Sequence, residues 1–89
     1  MPSTYYQALA NATQHDYVNG YRVIMTSRTP GDEFTRPGRV ILVDRGEGRP
    51  QRYVTAWQGD GDEGWNTGHY IDTIEAAVAD FTKRAARKF

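Results

Sequence analysis

Apolar and polar residues alternate along several short stretches of this chain, and in one later stretch the apolar positions recur with a helical period. The first alternating stretch is residues 21–28, where Tyr21, Val23 and Met25 are expected on one face of a strand and Arg22, Ile24 and Thr26 on the other. Residues 39–45 form a second strand, whose unbroken centre Val40-Ile41-Leu42-Val43 suits the middle of a sheet. Residues 52–58 form a third, with Tyr53, Thr55 and Trp57 on one face and Val54 and Ala56 on the other. Residues 65–71 read as a shorter returning strand.

The helical signal comes next. Asp72 is expected as the N-cap, Glu75 completes a capping box three positions on, and Ile71 stands where a hydrophobic staple would. Ile74, Ala77, Val78, Phe81 and Ala85 then fall on one face. Acids early in this helix (Glu75, Asp80) and bases late in it (Lys83, Arg84, Arg87, Lys88) match the macrodipole. At the other end of the chain residues 3–14 read as a short helix, capped by Ser3 or Thr4, with Tyr5, Leu9 and Thr13 on one side. Asn19-Gly20 signals a tight hairpin after a short strand at residues 16–18.

Between the strands, residues 29–38 hold two prolines and two glycines and are expected as a long mobile loop with Phe34 at its middle. Residues 46–50 make a turn, and residues 59–64 an acidic, glycine-rich loop. The expected fold is therefore α+β, in the order α-β-β-β-(β)-α. It is a two-layer arrangement in which a short antiparallel sheet of three to four strands packs against an N-terminal helix and a C-terminal amphipathic helix. With 89 residues and no internal repeat or linker, residues 1–89 form one domain. A chain of this size buries only about 60–65% of the surface its unfolded form exposes, so its stability is modest.

Composition removes several functions. There is no cysteine, which excludes disulfides, thiolate catalysis and thiolate-ligated zinc. The longest apolar run is far too short to cross a bilayer, and the first residues lack the basic and apolar stretches of a secretory leader. A cytoplasmic location is expected, because a small secreted domain commonly needs disulfide staples.

Net charge is zero, but it is unevenly distributed. Residues 22–52 carry seven arginines against four acids, whereas residues 53–82 carry six acids and no lysine or arginine. Nine of the eleven basic residues are arginine, which favours planar contacts to carboxylate or phosphate.

Candidate chemistry is sparse. His69 stands close in sequence to Asp72 and Glu75, but only Ser3 and Ser27 are present as serines, and neither lies in a nucleophile elbow. No catalytic residue is assigned, and the chain is read as a non-enzyme. The run Asp60-Gly61-Asp62-Glu63-Gly64 invites calcium, yet a twelve-residue calcium loop started at Asp60 would put Trp65 at its glycine position and Ile71 at its final ligand. No metal or cofactor site is expected. The glycines around that run have a dinucleotide-like spacing, but their carboxylates would repel a pyrophosphate.

Two binding readings remain. Aromatic residues exceed what a thin core needs, and Tyr, Trp and Arg are the usual anchors of protein interfaces. Phe34 and Trp65, in or beside loops, are the candidates for exposure, and Asp60, Asp62 and Glu63 supply an acidic contact surface. The alternative is an RNA- or DNA-binding module using Arg22, Arg39 and Arg52 on the strands with Lys83, Arg84, Arg87 and Lys88 at the helix end. The element order α-β-β-β-α resembles the double-stranded-RNA-binding domain, but that family begins its last helix with a lysine-rich motif, where this chain reads Asp72-Thr73-Ile74-Glu75.

At Trp65-Asn66-Thr67-Gly68-His69-Tyr70, followed by Ile74-Glu75-Ala76-Ala77 and Asp80-Phe81-Thr82-Lys83-Arg84, the chain resembles small proteins of phages and other mobile elements. Among those with a role, anti-CRISPR proteins are small, cysteine-poor binders that block a CRISPR effector. The resemblance implies a non-catalytic inhibitor or adaptor that binds a protein, with an acidic surface able to occupy a basic nucleic-acid channel. It is one of type and carries no functional residue across. A sheet edge also leaves room for a homodimer as well as a monomer.

Overall fold

The computed structural model describes residues 16–86, and these fold into a single five-stranded antiparallel sheet followed by one helix. The strands are β1 (Tyr17–Val18), β2 (Tyr21–Thr29), β3 (Gly38–Asp44), β4 (Tyr53–Gly59) and β5 (Asn66–Ile71), and the helix is α1 (Ile74–Ala85). Each strand pairs with its neighbour in sequence, so the sheet is a simple meander in the order β1-β2-β3-β4-β5. The sheet is curled into a half-barrel.

This overturns the expected two-layer α+β fold. The sheet has five strands rather than three to four, it curls instead of lying as a flat layer, and among the described residues it outweighs the single helix. The only helix among the described residues is the C-terminal one; the helix expected at residues 3–14 lies outside them.

Two local features promote the curl. The β2–β3 register shifts between Val23 and Met25, leaving Ile24 as an extra residue, and the β4–β5 register shifts between Thr55 and Trp57. Such bulges bend a strand and increase its right-handed twist. The first one also breaks the expected alternation of β2. Val23 pairs with Val43 and Met25 with Leu42, so the two residues lie on opposite faces of the sheet rather than on one. The first hairpin has the expected two-residue turn, with Asn19 and Gly20 both at positive φ (53° and 80°).

Strand β3 contributes to both faces of the sheet, as its unbroken apolar run implies. On the helix side Val40 and Leu42 pack with Met25, Ala77 and Phe81. On the other side Ile41 and Val43 pack with Val18, Val23, Val54 and Ala56, and Tyr21 and Trp65 lie against them. Every residue of both buried clusters is at most 2% exposed. Full burial of a side chain such as Phe81 stabilises by about 2–3 kcal/mol, so α1 is held by its apolar face rather than by helix propensity.

The helix start differs by one residue from expectation. Thr73, not Asp72, is the N-cap: its backbone is extended and its hydroxyl accepts from the Ala76 amide at 3.2 Å. The Asp72 carboxylate instead accepts from the Gln51 amide at 3.0 Å, tying the start of α1 to the β3–β4 turn. Glu75 remains in the first turn, where its charge suits the dipole, but it is not in the capping position.

Candidate interaction site

Strands β2 and β4 end beside each other, since Thr29 pairs with Gly38 and Gly38 with Gly59. The loops that follow them therefore share one end of the sheet. Loop 30–37 carries Phe34, and loop 60–65 carries Asp60, Asp62, Glu63 and Trp65, so four of the five candidate protein-binding residues lie in one loop and Phe34 in its neighbour.

Ion pairs and backbone bonds join these loops. Arg28 donates to both oxygens of Asp60 at 2.6 Å each, and Arg36 donates to Asp62 at 2.9 and 3.4 Å. The Asp60 amide donates to the Pro37 carbonyl at 3.0 Å. The Arg28 and Arg36 guanidiniums hold the carboxyls of Asp60 and Asp62 below the usual carboxylate range. Both pairs are well exposed, so they serve geometry more than stability. They also neutralise two of the three acids that looked like a free acidic surface; Glu63 stays exposed without a described partner.

Loop 30–37 is braced, not the open loop its prolines and glycines suggest. The Asp32 carboxylate accepts from the amides of Phe34 and Thr35 at 2.8 Å each, and the Asp32 amide donates to the Thr35 carbonyl at 2.9 Å. This is an Asx-type turn. Arg36 also lies over the Trp57 ring, 5.5 Å from its centroid, and the Trp57 indole N–H donates to the Thr29 hydroxyl at 3.1 Å. At the apex of this turn Phe34 is 88% exposed, the most exposed large apolar residue described.

Trp65 behaves differently. It is half-buried, with its ring 6.3 Å from that of Tyr21, and it packs against the second apolar cluster. It also lines an open groove of about 540 Å³ together with Arg36, Asp62, Glu63 and Asn66.

The residues of the nucleic-acid alternative are not gathered into one surface. Arg39 makes a bidentate bond to Asp16 at 2.7 and 2.9 Å and donates to Gln58 at 2.9 Å, while Arg52 is bidentate to Asp44 at 2.7 and 2.8 Å. Arg84 is buried under α1 and donates to the Thr55 carbonyl at 2.9 Å. Arg22 and Lys83 are exposed, on β2 and α1. Arg87 and Lys88 lie outside the described residues.

The His69 imidazole does find a carboxylate, though not the one close in sequence. Its Nδ1 is 2.9 Å from Asp80, which also accepts from the Thr55 hydroxyl. Burial would raise the Asp80 carboxyl, but the hydrogen bonds from Thr55 and His69 outweigh it and hold Asp80 low. Thr55 is fully buried and already bonded, so it offers no nucleophile to the imidazole. Among the described residues no group of three histidines or acids is arranged to hold a metal ion, and no helix is long and apolar enough to cross a membrane.

Asp32, Arg28 and Arg36 were not singled out by sequence reasoning. An Asp three residues before a Thr, in a loop with prolines, is a turn signal that points to Asp32; the arginine pairings join residues 26 and 32 positions apart and leave no local trace. No family model, curated protein or solved structure matches this chain significantly.

Proposed function

We propose that this protein is a non-catalytic binding module that inserts Phe34 into an apolar socket on a protein partner. The observation that carries this reading is the pairing of high exposure with local order. Phe34 is 88% exposed, yet its own amide is held by Asp32 and its loop is braced by Arg28, Arg36 and Trp57. An aromatic side chain already fixed in position loses little entropy on docking and is a typical interface anchor. Glu63 and the arginine–aspartate pairs around it form a polar rim of the kind that surrounds such anchors.

The more specific form of the reading is an inhibitor or adaptor from a mobile element that acts in the cytoplasm on a CRISPR effector. It draws on the resemblance of type in the last quarter of the chain. Because Asp60 and Asp62 are already paired with arginine, contact through Phe34 suits the reading better than nucleic-acid mimicry by an acidic patch.

The test is affinity capture on immobilised protein from bacterial lysates expressing CRISPR effectors, with nuclease treatment. The reading expects one stoichiometric protein partner that survives nuclease and is lost with Phe34→Ala. Capture that is unchanged by Phe34→Ala, or that disappears with nuclease, would overturn it.

A further inference from the structure

The described arginines other than Arg84 fall into two groups. Arg28, Arg36, Arg39 and Arg52 each bind an aspartate. Arg22, Arg45 and Arg49 bind no carboxylate, and two of these three lie on tyrosine rings. The Arg45 guanidinium carbon is 5.3 Å from the centroid of Tyr70, and that of Arg49 is 5.5 Å from the centroid of Tyr21. Tyr21 in turn rests against Trp65. Both arginines belong to the β3–β4 turn, at the opposite end of β3 from the Phe34 loop.

The turn is built to present them. Its ends are joined by the Arg45 amide donating to the Arg52 carbonyl at 2.8 Å, and the Gln51 amide is held by Asp72. Arg45 Nη2 donates to the Pro50 carbonyl at 2.9 Å, which fixes the plane of its guanidinium, while its Nε is buried and has no partner. The nearby acids are mostly occupied: Asp44 by Arg52 and the Gly46 amide, and Asp72 by Gln51. Glu47 is the one carboxylate within the turn itself. Arg49 is exposed, and Tyr70 is 45% exposed.

A guanidinium held over an aromatic ring can give its remaining donors to an anion and adds a planar group against which a base can stack. Two such pairs beside a third aromatic ring make alternating planes and positive charge, which is the chemistry that recognises an unpaired polynucleotide. An acidic peptide would use the charge but not the planes. A duplex hides its bases and could not use the planes either. We propose that the Arg45–Tyr70 and Arg49–Tyr21 pairs form a binding surface for single-stranded nucleic acid. This surface goes beyond the Phe34 reading and uses different residues, so the two can fail independently.

The test is fluorescence anisotropy of the full chain with a labelled twelve-nucleotide oligouridylate, a duplex of the same length and labelled polyglutamate. With two to three phosphates engaged, affinity for the single strand should fall about tenfold between 50 and 200 mM salt. Arg45→Gln with Arg49→Gln should weaken it about tenfold or more, and Phe34→Ala should leave it unchanged. Arg45→Lys with Arg49→Lys, which keeps charge but loses the planes, should also weaken it. Circular dichroism verifies that each variant is folded, and Arg49→Gln alone, at an exposed position, provides a milder version of the same loss. No salt-dependent binding at 50 mM salt, equal binding of duplex or polyglutamate, or full affinity in the lysine variants would overturn the proposal.

Discussion

The backbone amide of Phe34 donates to the carboxylate of Asp32 two residues earlier, at 2.8 Å, so the most exposed aromatic side chain described is attached to a fixed stretch of main chain. The same carboxylate takes the Thr35 amide, which closes the turn around the phenyl group. Order at that point is local, and it separates the display of Phe34 from the stability of the sheet.

Replacing Asp32 with Ala should therefore loosen the loop without unfolding the protein. The melting temperature should change little, because the turn is on the surface, while the amides of Phe34 and Thr35 lose protection in hydrogen exchange. Affinity for a captured partner should fall several-fold although Phe34 is still present, since the ordering of the loop must then accompany binding.

Arg84 has a structural part in this fold. It is 7% exposed and donates to both the carbonyl and the hydroxyl of Thr55, linking α1 to the centre of β4. Arg84→Met should cost about 2 kcal/mol or more, because a buried carbonyl loses a charged donor. That corresponds to a fall in melting temperature of about 10 °C for a domain of this size. Lys83→Ala, one position away and exposed, should leave the melting temperature nearly unchanged.

Gly38 lies against the Gln58 backbone and the Trp57 ring. A Cβ placed there would clash with the Gln58 carbonyl oxygen and come within 2.7 Å of the indole, which is held by its bond to Thr29 and contacted by Arg36. Gly38→Ala should destabilise by about 1–3 kcal/mol through overpacking, seen in urea denaturation, and should shift the tryptophan emission to the red. Because Arg36 lies on the same ring, this variant should also disturb the Phe34 loop.

Acid should destabilise the sheet through Asp44. The Arg52 guanidinium, assisted by the Gly46 amide, holds the folded Asp44 carboxyl below its unfolded value. A depressed carboxyl contributes stability that is fully present above the unfolded pKa of about 4 and is lost as pH falls through the folded value. Urea unfolding measured from pH 6 down to pH 2 should show stability declining below about pH 4, and Asp44→Asn should flatten part of that decline. Asp80, also held low, contributes in the same direction.

The elements legible in the sequence were those with a local period. Strands β2, β3 and β4, the Asn19-Gly20 turn and the apolar face of α1 follow from alternation, turn chemistry and helical spacing. What escaped depends on a single residue's placement or on distant pairing. Ile24 carries no mark of a bulge, yet that bulge moves Val23 and Met25 to opposite faces and helps turn a flat layer into a curl. Asp72 looked like a helix cap until the turn at Gln51 offered it another amide. Asp60 and Asp62 looked like free acids because Arg28 and Arg36, their partners, arrive from a different hairpin. Trp65, expected as an exposed anchor, is half-buried against Tyr21. Phe34 is legible from its place in a loop, and the turn that presents it only in part, from Asp32 and Thr35.

The most direct measurement is the affinity of the captured protein partner for the wild type, Phe34→Ala and Phe34→Leu by titration calorimetry. An anchor seated in an apolar socket predicts a loss of about 2 kcal/mol or more for Phe34→Ala, roughly thirtyfold in Kd, with a smaller loss for Phe34→Leu and unchanged melting temperatures for both. Equal affinities for all three proteins would contradict the account and move the contact surface away from this loop.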